Sequence, residues 1–292
     1  MRVIPSTIAI GHPDYPVLDT VRSGVYQRVG GQAQLTARFP LLVREAIDFV
    51  LDPVRTARTR MSELDSIEKT FVGLKIEHVV RDMLDVPKGL RDLVIAGIDV
   101  DIKNTIGNTW MIPPETYRTE DACLLVASDE ATHLCWLGLL IARQSYLNAP
   151  NRDAKRSVAS GAFAHIMWLV NGAPYPKSRW ANINMDRFRE LKRIKGGTKR
   201  AVAFFAENIG LPVHRDVVQS LLLQHDYMKR LRANGGARDI LRRQGVALVS
   251  GIYDSGLIAQ LHLTAISSEE MMAVKPANIA EENLMRSRGV IV

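Results

Sequence analysis

The chain has 292 residues, 47% of them hydrophobic, and a formal net charge of +7, which is mass enough for one large domain or two ordinary ones around a proper core. No window offers eighteen uncharged apolar residues, and the start, Met1-Arg2-Val3-Ile4-Pro5-Ser6, has no apolar signal region, so membrane and secreted classes are set aside and the expected location is cytoplasmic. The charge is uneven: residues 1–155 carry 18 Lys plus Arg against 20 Asp plus Glu, and residues 156–292 carry 20 against 11, so the second half points to an anionic partner such as nucleic acid.

Residues 1 to about 35 are rich in Gly and Pro and lack sustained periodicity, which reads as an irregular arm. From Phe39 to Val54 the apolar spacing predicts a helix stopped near Pro53. A second helix is expected from Asp65 to Leu84, with Ser62 and Asp65 as candidate caps. A hairpin follows, with Ala96-Gly97 as its turn, and Cys123 to Ala127 and Leu134 to Ile141 add two apolar strands. Together these make an α/β domain, a mixed sheet flanked by helices. Composition shifts after Asn148-Ala149-Pro150-Asn151-Arg152-Asp153, and the boundary is expected between 150 and 185, with a helix from Val158 to Val170. Helices are expected at Asp186 to Lys195, Lys199 to Asn208, His214 to Gln224, Asp226 to Ala233 and Ala237 to Gln244, and Val246 to Tyr253 is extended. Helices followed by a short hairpin suggest a winged helix-turn-helix.

The hairpin carries the chemistry. With Ala96-Gly97 as a two-residue turn, Ile95 faces Ile98, Val94 faces Asp99, Leu93 faces Val100 and Asp92 faces Asp101. Strand alternation then puts Asp92, Val94, Asp99, Asp101 and Lys103 on one face and Leu93, Ile95, Ile98, Val100 and Ile102 on the other. Opposed like charges destabilise a hairpin, so a divalent cation, a proton or Lys103 must offset the two acids. Phosphodiester hydrolysis needs an oriented, activated water and charge compensation, and carboxylate-bound Mg²⁺ supplies both. Asp92, Asp101 and the carbonyl of Ile102 are the candidate ligands. Lys103 is placed to hold the attacking water or neutralise phosphoryl oxygens, Glu77 on the preceding helix to reach the same metal or its water, and Asp99 to take a rim role or none.

An acid followed by D-x-K is common, and alone it favours a solvated strand face. Other features exclude more than they assign. Cys123 and Cys135 lie in apolar runs as buried thiols do, and His12, His78, His133, His165, His214, His225 and His262 lack zinc-ligand spacing. Gly196-Gly197-Thr198-Lys199 lacks the Walker spacing, while Lys192, Arg193, Lys195, Lys199 and Arg200 around it suit a phosphate-contacting loop or a plain linker equally. Trp110-Met111-Ile112-Pro113-Pro114 reads as packing plus a rigid turn. In the second half, His214 to Leu223 and Asp226 to Arg232 are the candidate helix-turn-helix, with Lys229, Arg230, Arg232, Arg238 and Arg242 as the DNA-binding cations and Arg243 beside them.

The setting of the hairpin is distinctive. Ile67-Glu68-Lys69-Thr70-Phe71-Val72-Gly73, Glu77, Ile95 through Lys103, Trp110 through Glu115, Leu125 through Asp129, Asn151 through Arg156, Gln224 through Arg232 and Asn234 through Arg238 stand in an order that resembles the NaeI restriction endonucleases. The resemblance implies a PD-(D/E)xK nuclease domain, similar to the MutH mismatch-repair nuclease, joined to a CAP-like winged-helix domain. It implies Glu77, Asp92, Asp101 and Lys103 as active-site residues. It also implies a type IIE homodimer that cuts both strands of a palindromic site only when a second, effector copy of the DNA occupies the other domain, and a cognate DNA methyltransferase in the host. The expected layout is an arm over 1–35, the nuclease domain over 36–165 and the winged-helix domain over 175–292. The rivals are a non-catalytic winged-helix regulator and a MutH-like nicking enzyme.

Overall fold

Apolar spacing dictates the helices of the first third. The computed structural model describes residues 7–224 and 226–292; the first six residues of the expected arm, and His225, lie outside them. Where an irregular arm was expected, α1 (Tyr15–Val29) forms, burying Leu18, Val21, Val25 and Val29 at helical spacing. The Pro and Gly that argued against it have positional reasons. Pro16 falls in the first turn, where no hydrogen bond is lost, and Gly24 lies where a Cβ would come within 2.6 Å of Ile95, so its bare backbone lets the helix approach the hairpin.

Helix α2 (Gln32–Leu51) runs through Pro40, starts earlier than expected and ends at Asp52 in a left-handed conformation ahead of Pro53. A single turn, α3 (Pro53–Thr56), follows. Helix α4 (Ser66–Leu84) opens on a capping box: the Glu68 amide donates to Asp65 at 2.8 Å and the Asp65 amide to Glu68 at 3.0 Å.

The strands β1 (Leu93–Ile95) and β2 (Ile98–Thr105) pair in the inferred register, Leu93 with Val100, Val94 with Asp99 and Ile95 with Ile98. Ala96 at φ 51° and Gly97 at φ 80° are both left-handed, as a type I′ turn requires. After β3 (Met111–Ile112) and the one-turn α5 (Pro114–Tyr117) come β4 (Ala122–Asp129) and β5 (Leu134–Ile141), then β6 (Leu147–Pro150), β7 (Arg156–Val158) and β8 (Met167–Pro174). The main sheet runs β1-β2-β4-β5-β8, parallel only between β2 and β4, and a small sheet runs β3-β7-β6.

Alternation divides the buried central strand between two cores. Ala122, Leu124 and Val126 join α1, α2 and α4 on one face, while Cys123, Leu125 and Ala127 join Trp110, Ile112 and Tyr117 on the other. The helix expected over Val158 to Val170 is not there: β7, a 3₁₀ stretch at Ser160–His165 and β8 take its place. Trp168 and Met167 pair across to Gly138 and Leu139, and a short apolar run carries no signal that separates this strand from a buried helix.

The chain divides into two compact units, one of the described residues up to Asp52 with Arg58–Ser178, the other of Pro53–Ala57 with Arg179–Val292. The sheet strand β8 thus extends the first unit past residue 165. In the second unit α6 (Met185–Lys192), α7 (Gly197–Glu207), β9 (Val213–His214), α8 (Arg215–Leu222), α9 (Ala237–Arg243), β10 (Ala247–Ser250), α10 (Ser255–Gln260), β11 (Glu270–Val274) and α11 (Ile279–Ser287) follow in order. Their sheet is antiparallel in the order β10-β11-β9. The helix expected over Asp226 to Ala233 is only a 3₁₀ turn, Tyr227–Arg230. Leu231 is its one buried apolar anchor and Asn234 and Gly235 take positive φ, so a longer helix has neither a face to bury nor room to continue. No helix among the described residues is long and apolar enough to cross a membrane.

Because the box fixes the start of the helix that bears Glu77, Asp65→Ala should cost about 1 kcal/mol, read as a lower urea midpoint. An unchanged midpoint would show that packing alone sets where α4 begins.

Candidate active site

Asp101 is the one ionisable residue of the hairpin that is buried, at 5% exposure, because β2 lies second in the sheet and Asp101 pairs beside Cys123 of the buried β4. Lys103 Nζ lies 2.6 Å from its Oδ1, and the buried hydroxyl of Thr116 on α5 donates to its Oδ2. Burial pushes the Asp101 carboxyl above its ordinary range, and contact with Asp92 adds to this, while Lys103 and Thr116 hold it back. Asp92 stands one step beyond the paired strand and accepts the Ile102 amide at Oδ2, 2.8 Å away, with Arg81 3.6 Å from its Oδ1. Two cationic side chains thus offset the two acids.

Glu77 reaches the same cluster from α4. Burial raises its carboxyl to about 7, with repulsion from Asp92 and Asp101 adding to the shift and Lys103 and Arg81 opposing it. Glu77 and Lys103 line a cleft of about 590 Å³ together with Lys69, Gly73, Glu115 and Lys155. The structure therefore brings Glu77, Asp92, Asp101, Lys103 and the Ile102 carbonyl together in the first unit.

Asp99 does different work. Its Oδ1 accepts the Leu90 and Arg91 amides, at 2.8 and 3.4 Å, and so ties down the loop that delivers Asp92. Arg91 in turn bonds Asp121 at 2.7 Å and the Glu115 carbonyl, holding α5 against the hairpin. Arg81 and Thr116 were missed in the sequence. Arg81 was open to discovery, four residues past Glu77 on one helix face; nothing in the sequence around Thr116 announces its partner.

For a hard divalent cation the donor set fits. The Asp101 carboxylate and the Ile102 carbonyl, 2.6 and 3.1 Å from Lys103 Nζ, converge on one cationic atom, and carboxylate and carbonyl oxygens are what such an ion prefers. Among the described residues no three His, Cys, Asp or Glu side chains are arranged to hold a metal by themselves.

The DNA-binding candidates all lie in the second unit. Lys229 and Arg230 stand exposed on the 3₁₀ turn, where Arg230 bonds Gln224 at 2.8 Å, and Arg232 is exposed beyond it. Arg238 and Arg242 are one turn apart on α9, half-buried around a cavity of about 150 Å³, with Arg238 3.7 Å from Asp254. Arg200 is removed from the basic loop: it is buried and donates to the carbonyls of Lys192 and Leu222.

Comparison with known proteins gives the family. The model of restriction endonuclease NaeI matches residues 34–283, most of the chain. The chain belongs to the NaeI restriction endonuclease family. The type II restriction enzyme NaeI of Lentzea aerocolonigenes is 28% identical over 222 residues, which cover 71% of this chain and 68% of that protein. Membership in the NaeI family makes the protein a type II site-specific deoxyribonuclease, a hydrolase that binds DNA.

The raised Glu77 carboxyl has a consequence for stability. Its ordinary value is 4.5 and its value in the fold is about 7, so the folded state binds the proton more tightly and the stabilisation this brings is lost as pH rises between the two. In EDTA, the melting temperature of the wild type relative to Glu77→Gln should fall from pH 5 to pH 8. A constant difference over that range would mean that Glu77 titrates as an exposed acid does.

Proposed function

We propose that the protein is a Mg²⁺-dependent, type IIE-like restriction endonuclease that makes double-strand breaks at a palindromic DNA site with its first unit. The observation that carries this reading is the grouping of Asp92, Asp101, Lys103 and Glu77, of which Glu77 and Lys103 line a cleft that also bears Lys69 and Lys155. Asp92, Asp101 and the Ile102 carbonyl would hold the metal, with Glu77 placed to reach the same metal or its water. When bound, Mg²⁺ supplies charge compensation for the phosphoryl group and a more acidic water.

The remaining work falls to the chain. Lys103 orients the attacking water and neutralises a non-bridging oxygen of the scissile phosphate. Glu77, held near 7, exchanges a proton with water at neutral pH. Thr116 and Asp99 keep Asp101 and the Asp92 loop in place.

The second unit, in this reading, is a winged helix that binds an effector copy of the site. Supporting it are the order α7-β9-α8-α9-β10-β11, with the first strand joining the later pair at β11, and the excess of basic residues in the second half of the sequence. Here α8 and α9 are the two helices of the helix-turn-helix, so Arg238, Arg242 and Arg243 lie on the helix that enters the groove. Lys229, Arg230 and Arg232, on the connection between them, meet phosphates. A palindromic site calls for a homodimer, each copy cutting one strand, in a cytoplasm where a partner methyltransferase protects the host's own sites.

Incubating supercoiled plasmid with protein, with Mg²⁺ or with EDTA, tests the reading. Linear fragments in Mg²⁺ alone are expected. Nicked circles would make the protein a strand-nicking enzyme, and intact plasmid would refute metal-dependent cleavage. Asp101→Ala and Lys103→Ala should each abolish cutting yet still shift a DNA duplex in a gel, whereas Asp99→Ala should still cut. Cleavage at the wild-type rate by either of the first two would remove those residues from the site.

A further inference from the structure

The hairpin tip between β6 and β7 is unusually well held for a surface loop. Asn151 Oδ1 accepts the amides of Asp153 and Lys155 at 3.0 and 2.9 Å, and the Asn151 amide donates to the Lys155 carbonyl at 2.8 Å. Ala154 takes the left-handed conformation, φ 58°, and its carbonyl accepts the Tyr117 hydroxyl at 3.0 Å. The Arg156 guanidinium stacks on the same Tyr117 ring, 5.1 Å from its centre. Tyr117 is the neighbour of Thr116, the residue that holds Asp101, so one turn of α5 anchors both the buried acid and this tip.

The fixed tip presents two cations. Lys155 is exposed and lines the cleft that contains Glu77 and Lys103. Arg152 is exposed at the turn and makes no ion pair among the described residues. Ordering a loop costs conformational entropy, and a tip whose Asn151, Asp153, Ala154 and Lys155 amides are already bonded has met part of that cost before a ligand arrives. A two-stranded ribbon is of a size to enter the DNA major groove, where an arginine fork reads a guanine edge and a lysine beside it meets the backbone.

We propose that residues 151–155 are a substrate-DNA contact of the catalytic unit, with Lys155 on a phosphate beside the cleft and Arg152 on a base edge in the groove. This rests on the reading of the first unit as the cutting unit. The tip is a site-reading element mechanically tied to the chemistry through α5.

Two measurements test it. Cys123 and Cys135 are buried, so Asp153→Cys introduces an exposed thiol at the tip, and Thr36→Cys does so on α2, outside the cleft. Saturating cleavage-site duplex in Ca²⁺ should slow maleimide labelling of the first thiol about tenfold or more and leave the second unchanged. In Mg²⁺, Lys155→Ala should lower the cleavage rate and reduce the salt dependence of kcat/KM by roughly the 0.9 expected for one phosphate contact. Arg152→Ala should cut sites one base removed from the cognate site about tenfold better relative to it than the wild type does. Equal labelling with and without a duplex that the same Asp153→Cys protein cleaves on adding Mg²⁺ would overturn the proposal, as would wild-type rate, salt dependence and selectivity in the two alanine variants. Lys103→Ala separates the outcomes: if it is inactive while the tip variants are normal, the tip proposal alone fails; if it cuts, the assignment of the cleft fails first.

Discussion

A carboxylate buried in a sheet is tolerated only where its charge is answered atom by atom, and Asp101 meets that condition. Left alone on the inner face of β2 it would take a proton, because desolvation penalises the charged form by several kcal/mol. Lys103 answers one oxygen and Thr116 the other. Each answer constrains the neighbourhood: the lysine must come from two residues along the same strand face, and the threonine from an element packed across the sheet face. The second requirement explains α5, a single turn begun by Pro113-Pro114 and tied to the hairpin through Arg91 and the Glu115 carbonyl.

Burial acts on Glu77 in the same direction as on Asp101. Asp101 has a lysine and a hydroxyl bonded to its oxygens, whereas for Glu77 burial, with repulsion from Asp92 and Asp101 added, outweighs the opposing pull of Lys103 and Arg81 and lifts the carboxyl to about 7. Burial thus raises both carboxyls, and a raised carboxyl beside a cleft is a feature that recurs where proton transfer is needed. Asp99, by contrast, is spent on backbone amides and contributes to the shape of the site without entering it.

Legibility in the sequence followed the range of the forces involved. The register of the hairpin was readable because a two-residue turn leaves no freedom and a slip of one residue would turn buried residues such as Leu93, Ile95, Val100 and Ile102 outward. The start of α4 was readable because its cap is local. What failed depended on distant partners. Strand β8 is a strand because β5 is beside it, and α1 forms because its apolar stripe has a sheet and two helices to bury against. The Asp226 to Ala233 stretch is polar enough for a helix but has too little to bury. Thr116 belongs with these: its role exists only through the sheet that brings Asp101 to it.

Placing the buried acid and the hairpin tip on consecutive residues of α5 has a mechanical consequence. Thr116 and Tyr117 are adjacent and point to different partners, Asp101 on one side and the Ala154 carbonyl on the other. In a four-residue helix there is no slack between neighbouring Cα atoms, so a force on residues 151–155 is delivered to the carboxylate through rigid covalent geometry and two hydrogen bonds. Packed interiors resist gradual deformation, and a small displacement at one end is passed on instead of absorbed. On the proposed contact, a duplex that seats the tip well would keep Asp101 where Lys103 and the Ile102 carbonyl meet, and one that seats it badly would pull on the same bond. Selectivity for the DNA site would then be expressed in the rate of the chemical step as well as in binding, which is where an enzyme that must spare nearly all of a genome gains most.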